Sequence, residues 1–71
     1  MQTLVLNHKT YKIMGAEGNI VYVQIASNFM SPVGDLKLVS RQISKMPQYE
    51  DYKSFKFVTL MMSKCVINLG C

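Results

Sequence analysis

The side chains able to do acid–base, nucleophilic or metal chemistry are few and scattered along this sequence. His8 is the single histidine, and the two cysteines, Cys65 and Cys71, lie near the carboxyl end without a CxxC pair. That spacing is not typical of a zinc site. Glu50 and Asp51 are adjacent, so on a helix or a strand they point in different directions and do not form a carboxylate pair. The sequence therefore predicts no enzyme, no cofactor and no metal site.

Binding of a polyanion is a second kind of chemistry to consider, because the net charge is +4. The basic residues are spread along the chain, which is typical of a solvated surface with a weak attraction for nucleic acid. The lysines in strand-like segments are the candidate nucleic-acid contacts: Lys9, Lys12, Lys56 and Lys64. Bases could also stack on nearby rings, although rings at this spacing more often belong to a core or an interface. These rings are Tyr11, Tyr22, Tyr52 and Phe55.

The chain of 71 residues is predicted to be a single domain or part of one. Apolar residues make up 49% of it and charged residues 17%, which is more apolar surface than a short chain buries easily. A partner chain would resolve this excess. The amino end does not read as a signal peptide, and the most apolar run is interrupted by Lys64. We therefore expect a soluble protein with reduced thiols and no membrane partner.

The spacing of the apolar residues and the positions of the turn-forming residues predict a mainly β chain with one short helix. Gly15, Gly18 and Asn19 suggest a turn over residues 15–19 between two strands. Asp35 is predicted to cap the helix, and Pro47 to end it. The predicted elements are strands at about 3–14, 20–26 and 55–69 and a helix at about 36–46. The strand at 55–69 would be unusually long, or broken by a bulge, and buried on both faces.

Four rings mark the junction between the helix and the long strand. Tyr49, Tyr52 and Phe55 recur every third residue, as on one side of a helical turn. Phe55 and Phe57 recur every second residue, as on one face of a strand. This pattern predicts a turn lined by aromatic rings that leads directly into a strand.

The order of elements and this aromatic segment resemble the early part of the jelly-roll capsid domain of small icosahedral viruses. The family comprises shells of circular single-stranded DNA viruses and their tombusvirus- and nodavirus-like relatives. The segments HKTYKI and IVYVQIAS resemble its early strands. The residues that match its aromatic segment are Ile43, Pro47, Tyr49, Tyr52, Lys53, Phe55 and Lys56. The resemblance implies a partial β-sandwich in which the rings lie between two sheets.

Two hypotheses for the function follow. The resemblance implies a structural protein that assembles with copies of itself, or with other chains of a shell, into a virion that encloses nucleic acid. It would be made in the host cell interior before assembly. The alternative is a small basic regulatory module of phage type, cytoplasmic, with an antiparallel sheet and one helix. Such a module would bind a host protein or single-stranded nucleic acid through its basic β surface. An exposed basic face bearing Lys56 and Lys64 would favour this alternative.

Overall fold

The computed structural model of the protein describes residues 2–70. Its secondary structure is mainly β with one α-helix, which confirms the predicted fold class at that level. A short 3₁₀ helix, Pro47–Tyr49, precedes the fourth strand. The main elements are β1 Gln2–Leu6, β2 Lys9–Glu17, β3 Ile20–Ile25, α1 Val33–Ser44, β4 Ser54–Val58 and β5 Lys64–Asn68.

The strands of residues 2–70 form one sheet in the order β1-β2-β3-β4-β5. Neighbouring strands are antiparallel except β3 and β4, which are parallel because α1 carries the chain from one end of the sheet back to the other. The sheet is therefore mixed, whereas the alternative hypothesis expected an antiparallel sheet. A parallel pair needs a crossover of this kind, whereas an antiparallel pair needs only a turn.

The core lies between α1 and one face of the sheet. Alternate residues of the central strands project towards the helix, including Val23 and Phe57, and are fully buried. The helix contributes Leu36, Val39 and Ile43 at spacings of three and four residues, so these side chains share one helical face. No helix covers the opposite face of the sheet in residues 2–70, and the side chains there remain half-buried or exposed.

The first predicted strand, 3–14, was wrong because the chain reverses inside it. Asn7 and His8 form a two-residue turn, with φ values of 51° and 67°, between β1 and β2. Positive φ at both turn positions matches the twist of a tight hairpin, and asparagine tolerates it well. The turn contains no glycine or proline, and these are the residues that mark a turn most strongly in a sequence.

The predicted turn at 15–19 is shorter than expected. The strand β2 continues to Glu17, and Gly18 and Asn19 alone form the turn to β3. Gly18 adopts φ of 61°, which glycine accepts without a steric penalty. Gly15 instead lies at an irregularity in the β2–β3 ladder, where the register shifts between Ile13 and Gly15.

The helix begins three residues earlier than predicted. Pro32 occupies the N-cap position, and its carbonyl accepts the first helical hydrogen bond from the Leu36 amide at 3.1 Å. Asp35 is therefore not the cap; it lies in the first turn and accepts a hydrogen bond from the side-chain amide of Asn7 at 3.2 Å. The helix ends before Pro47, which disfavours helical geometry in the residue ahead of it.

The predicted long strand, 55–69, was also wrong: it is the hairpin of β4 and β5. The hydroxyl of buried Thr59 accepts hydrogen bonds from the amides of Met61 and Ser63, and Met62 adopts φ of 68°. These contacts fold residues 59–63 into a turn without glycine, asparagine or proline. The alternation of faces survives the turn, because Phe57 pairs with Cys65 and both project from the same face.

The predicted aromatic segment lies beside the helix and not between two sheets. Tyr49 and Tyr52 are half-buried and contact edge to face, with ring centroids 6.0 Å apart. Phe55 and Phe57 are fully buried on the face of the sheet that α1 covers. The rings thus connect the 3₁₀ helix to the core, and in residues 2–70 a single sheet takes the place of the expected sandwich.

A buried hydrogen bond ties β2 to the loop before α1, and its loss should be measurable. The hydroxyls of Tyr11 and Ser31 lie 2.7 Å apart, and both residues are buried. Replacing Tyr11 with Phe leaves the Ser31 hydroxyl without this partner, so we expect a loss of about 1–3 kcal/mol of stability. Urea unfolding of Tyr11→Phe measures this loss, and Ser31→Ala in the same background should then add little further destabilisation.

Candidate functional site

The face of the sheet opposite α1, here called the open face, collects the polar and basic side chains of the strands. Its residues follow from the ladder registers, because directly paired residues project from the same face. They are Thr3, Val5, Thr10, Lys12, Gly15, Glu17, Ile20, Tyr22, Gln24, Ser54, Lys56, Val58, Lys64, Val66 and Asn68. The strands therefore present one continuous surface of mixed polar and apolar character.

Three lysines lie close together on the open face. Lys12 pairs with Gln24, Gln24 with Val58, and Val58 with Lys64, so Lys12 and Lys64 lie in one row across four strands. Strands are about 4.8 Å apart, which places the two lysines about 14 Å from each other along that row. Lys56 lies two residues from Val58 on the same face of β4. The three ammonium groups thus occupy one side of the sheet.

Tyr22 is the ring of this surface, and Lys56 pairs with it across β3 and β4. The Lys56 Nζ atom lies 5.7 Å from the centroid of the Tyr22 ring. A cation at this distance over a ring is attracted to its π face, which holds both side chains in place. Tyr22 is half-buried, so part of its ring remains accessible to a ligand.

Acidic residues are sparse on the open face. Among residues 2–70, Glu17 is the carboxylate that projects from this face, at the end of β2 and opposite Ile20. Asp35 lies on α1, and Glu50 and Asp51 follow the 3₁₀ helix. The lysines of the open face therefore meet little opposing charge, which favours the approach of a polyanion to this side of the sheet.

The structure separates the predicted nucleic-acid contacts into two groups. Lys12, Lys56 and Lys64 share the open face, whereas Lys9 projects from the side that α1 covers, since it alternates in phase with Tyr11. Of the predicted stacking rings, Tyr22 lies on the open face. Tyr11 and Phe55 are buried in the core, and Tyr52 contacts Tyr49 near the 3₁₀ helix. The four rings therefore do not lie together on one surface.

Two amide side chains of the open face were missed from the sequence. Gln24 lies between Lys12 and Val58 in the row described above, and Asn68 faces Ser54 at the other end of β5. The Ser54 hydroxyl donates to the side-chain oxygen of Asn68 at 2.5 Å, so the amide NH₂ group of Asn68 remains available. Their alternation in phase with Tyr22 and Lys56 was the signal that could have identified them.

The residues considered for metal or acid–base chemistry do not assemble into a site. Within residues 2–70 no group of three or more histidine, cysteine or acidic side chains lies together. His8 occupies the β1–β2 turn, Cys65 is half-buried on the face towards α1, and Cys71 lies outside the described residues. A surface depression of about 450 Å³ near Asn19 and Ser54 is lined by Asp51 and Lys53, which carry opposite charges.

Comparison of the chain with protein-family models, with curated proteins and with solved structures gave no match. The resemblance to jelly-roll capsid domains therefore stays a prediction. In residues 2–70 the structure has no helix long and apolar enough to cross a membrane.

Proposed function

We propose that the protein binds single-stranded nucleic acid on the open face of its sheet. The observation that carries this proposal is the grouping of Lys12, Lys56 and Lys64 around Tyr22 on a face that no helix of residues 2–70 covers. A surface that combines cations with an accessible ring suits a single strand, whose phosphates and unpaired bases are available together. A duplex keeps its bases stacked inside and would engage the lysines alone.

Each element of the open face has a physical task in this proposal. The lysines neutralise phosphates and release condensed counterions, which gives the binding its strength and its dependence on salt. Tyr22 offers a ring on which a base stacks, while the Lys56 ammonium moves from the ring to a neighbouring phosphate. Stacking tolerates every base because each has a π face, so we expect weak sequence preference. Gln24 and Asn68 provide amide groups for hydrogen bonds to bases or sugars.

Equilibrium binding to a labelled homopolymeric oligonucleotide tests the proposal directly. A strand of about 15 nucleotides covers the site size of a small sheet domain. Three phosphate contacts to a single strand predict a slope of about −2 for log affinity against log salt concentration. The matching duplex should bind more weakly at the same salt concentration. Equal affinity for duplex and single strand, or no binding at low salt, would contradict the proposal.

The contribution of the ring is tested separately by substitution of Tyr22. Tyr22→Ala should weaken binding to the single strand about tenfold, because stacking of one base on a ring is worth about 1–3 kcal/mol. Tyr22→Phe keeps the ring and should bind nearly as well as the parent protein. Both variants retain all three lysines, so their salt slopes should match that of the parent. A tenfold loss in Tyr22→Phe as well would assign the effect to the hydroxyl and not to stacking.

Assembly into a virus shell is the second candidate, and the exposed apolar side chains of the structure support it. Leu60, Met61 and Met62 at the β4–β5 turn are more than half exposed, as is Phe29 in the loop before α1. Such side chains are common where proteins contact one another. Light scattering after size exclusion tests this candidate: a megadalton particle supports a shell component, whereas a species near the mass of one or two chains contradicts it.

A further inference from the structure

The outer edge of β5 presents a regular row of backbone hydrogen-bonding groups. The Leu69 amide donates to the Lys53 carbonyl at 2.7 Å, and the Thr59 amide to the Ser63 carbonyl at 3.1 Å. In an antiparallel ladder the backbone groups of alternate residues face the partner strand. Odd-numbered residues of β5 therefore face β4, and Lys64, Val66 and Asn68 turn their N–H and C=O groups outward. These three residues offer six backbone groups at the edge of the described sheet.

The opposite edge of the sheet, strand β1, presents fewer outward-facing backbone groups. The Ala26 amide donates to the Thr10 carbonyl at 2.9 Å, so Thr10 faces β3 and its neighbour Tyr11 faces Leu4 of β1. The residues of β1 that turn their backbone groups outward are consequently Thr3 and Val5. They provide four groups, compared with six on β5, so β5 is the better template for strand addition.

The side chains of β5 are complementary to a second copy of the same strand. When β5 pairs antiparallel with itself about Val66, Lys64 lies opposite the partner's Asn68, and Val66 lies opposite the partner's Val66. No like charges are opposed, and lysine meets a neutral amide. Val66 is 53% exposed in the single chain and would be covered by its counterpart. A shift of the register by two residues loses backbone hydrogen bonds at the ends of both strands.

We propose that two copies of this chain pair through β5, antiparallel and centred on Val66, to form one sheet of ten strands. The dimer has a two-fold axis at Val66, which is a closed symmetry that uses the same edge of both copies. On the open face a single row then runs through Tyr22, Lys56 and Val66 and continues into the same residues of the second copy. The paired chains thus present two Tyr22–Lys56 sites on one continuous surface.

The strength of this pairing follows from its size. Two strands of five residues bury little area, so the free dimer dissociates readily and belongs with weak, transient interfaces. A single-stranded nucleic acid that contacts both copies would hold them together by raising their effective concentration. This use of the dimer as a doubled binding surface rests on the proposed function, whereas the pairing of β5 does not.

Disulfide trapping in the full chain, without nucleic acid, tests the pairing and its register. Cys65 and Cys71 are first replaced with Ala to remove the native thiols. Val66→Cys in this background should form a disulfide dimer on mild oxidation, because hydrogen-bonded antiparallel partners have Cα atoms about 5.5 Å apart. Lys64→Cys alone should not, because its two copies would be four residues apart along the strand, roughly 13 Å. Asn68→Cys alone should behave in the same way.

The decisive sample is a mixture of Lys64→Cys and Asn68→Cys proteins distinguished by mass. The proposed register brings these positions together, so the mixture should give the heterodimer while each protein alone stays monomeric. Lys37→Cys, on the exposed side of α1, measures disulfide formation by random collision. Circular dichroism establishes that every variant is folded. Equal cross-linking at positions 37, 64 and 66, or no dimer of Val66→Cys, would overturn the proposal.

Binding of the trapped dimer separates this inference from the proposed function. A single-stranded oligonucleotide long enough to contact both copies should bind the oxidised Val66→Cys dimer at least about tenfold more tightly than it binds the reduced protein. If the disulfide forms as predicted but affinity does not rise, the pairing stands and the doubled surface is rejected. If no disulfide forms and the reduced protein still binds single strands, the pairing is rejected and the proposed function remains.

Discussion

Replacing Lys12, Lys56 and Lys64 together with Ala is expected to weaken binding to single-stranded nucleic acid about 100-fold near 0.1 M salt. Each phosphate contact on a single strand contributes about 0.7 to the salt slope, or roughly fivefold in affinity at that concentration. Three lost contacts multiply to about this factor and should bring the slope close to zero. Fluorescence anisotropy at several salt concentrations measures both quantities.

The chain offers a control with the same change in charge. Lys37, Arg41 and Lys45 are exposed on α1 or directly after it, on the other side of the sheet. Replacing these three with Ala also lowers the net charge from +4 to +1, since each substitution removes one positive charge. Salt screens the attraction between these distant charges and nucleic acid on the open face. The affinity should therefore change less than about threefold. Equal losses in both triple variants would mean that net charge, and not the open face, governs binding.

The second large effect is expected in the core. Phe57→Ala should destabilise the protein by about 3–5 kcal/mol, because it removes a fully buried ring and leaves a cavity. The ring lies edge to face with Tyr11, with centroids 6.3 Å apart, so this contact is lost as well. A domain of this length has roughly 4 to 11 kcal/mol of stability in total, so the variant should be partly or fully unfolded.

Phe29→Ala is the matched control for this substitution. Its ring is 77% exposed, so removal should change the free energy of unfolding by less than about 0.5 kcal/mol. Urea unfolding followed by circular dichroism measures both variants against the parent protein. Similar midpoints for Phe29→Ala and Phe57→Ala would contradict the position of Phe57 between the sheet and α1.

Alternation of residue type predicted the faces of the strands better than it predicted their ends. Phe55 and Phe57 were placed together on one face and Lys56 and Lys64 on the other, and the structure retains both groupings. The turn between β4 and β5 escaped prediction because a threonine hydroxyl stabilises it, and threonine is common in strands. Sequence periodicity records which side of a sheet a residue occupies, and the five-residue turn at 59–63 preserves it, because an odd number of intervening residues keeps the alternation in phase across a hairpin.

Sequence patterns could not predict which strands that are distant in the chain pair with each other. Nothing in the residues of β3 indicates that β4, on the far side of α1, lies beside it and parallel to it. That crossover is nevertheless what brings Tyr22 next to Lys56 and so creates the candidate site. Of the predicted contacts, Lys9 lies on the opposite side of the sheet from Lys12, Lys56 and Lys64, because the side that a residue occupies depends on the phase of its strand relative to the neighbouring strands.

Mapping the binding surface by NMR tests the central claim most directly. Isotope-labelled protein is titrated with a homopolymeric single strand while the amide resonances are followed. We expect the largest shifts around Lys12, Tyr22, Gln24, Lys56 and Lys64, with the resonances of α1 nearly unchanged. Shifts concentrated on α1, or no shifts at low salt, would contradict binding on the open face.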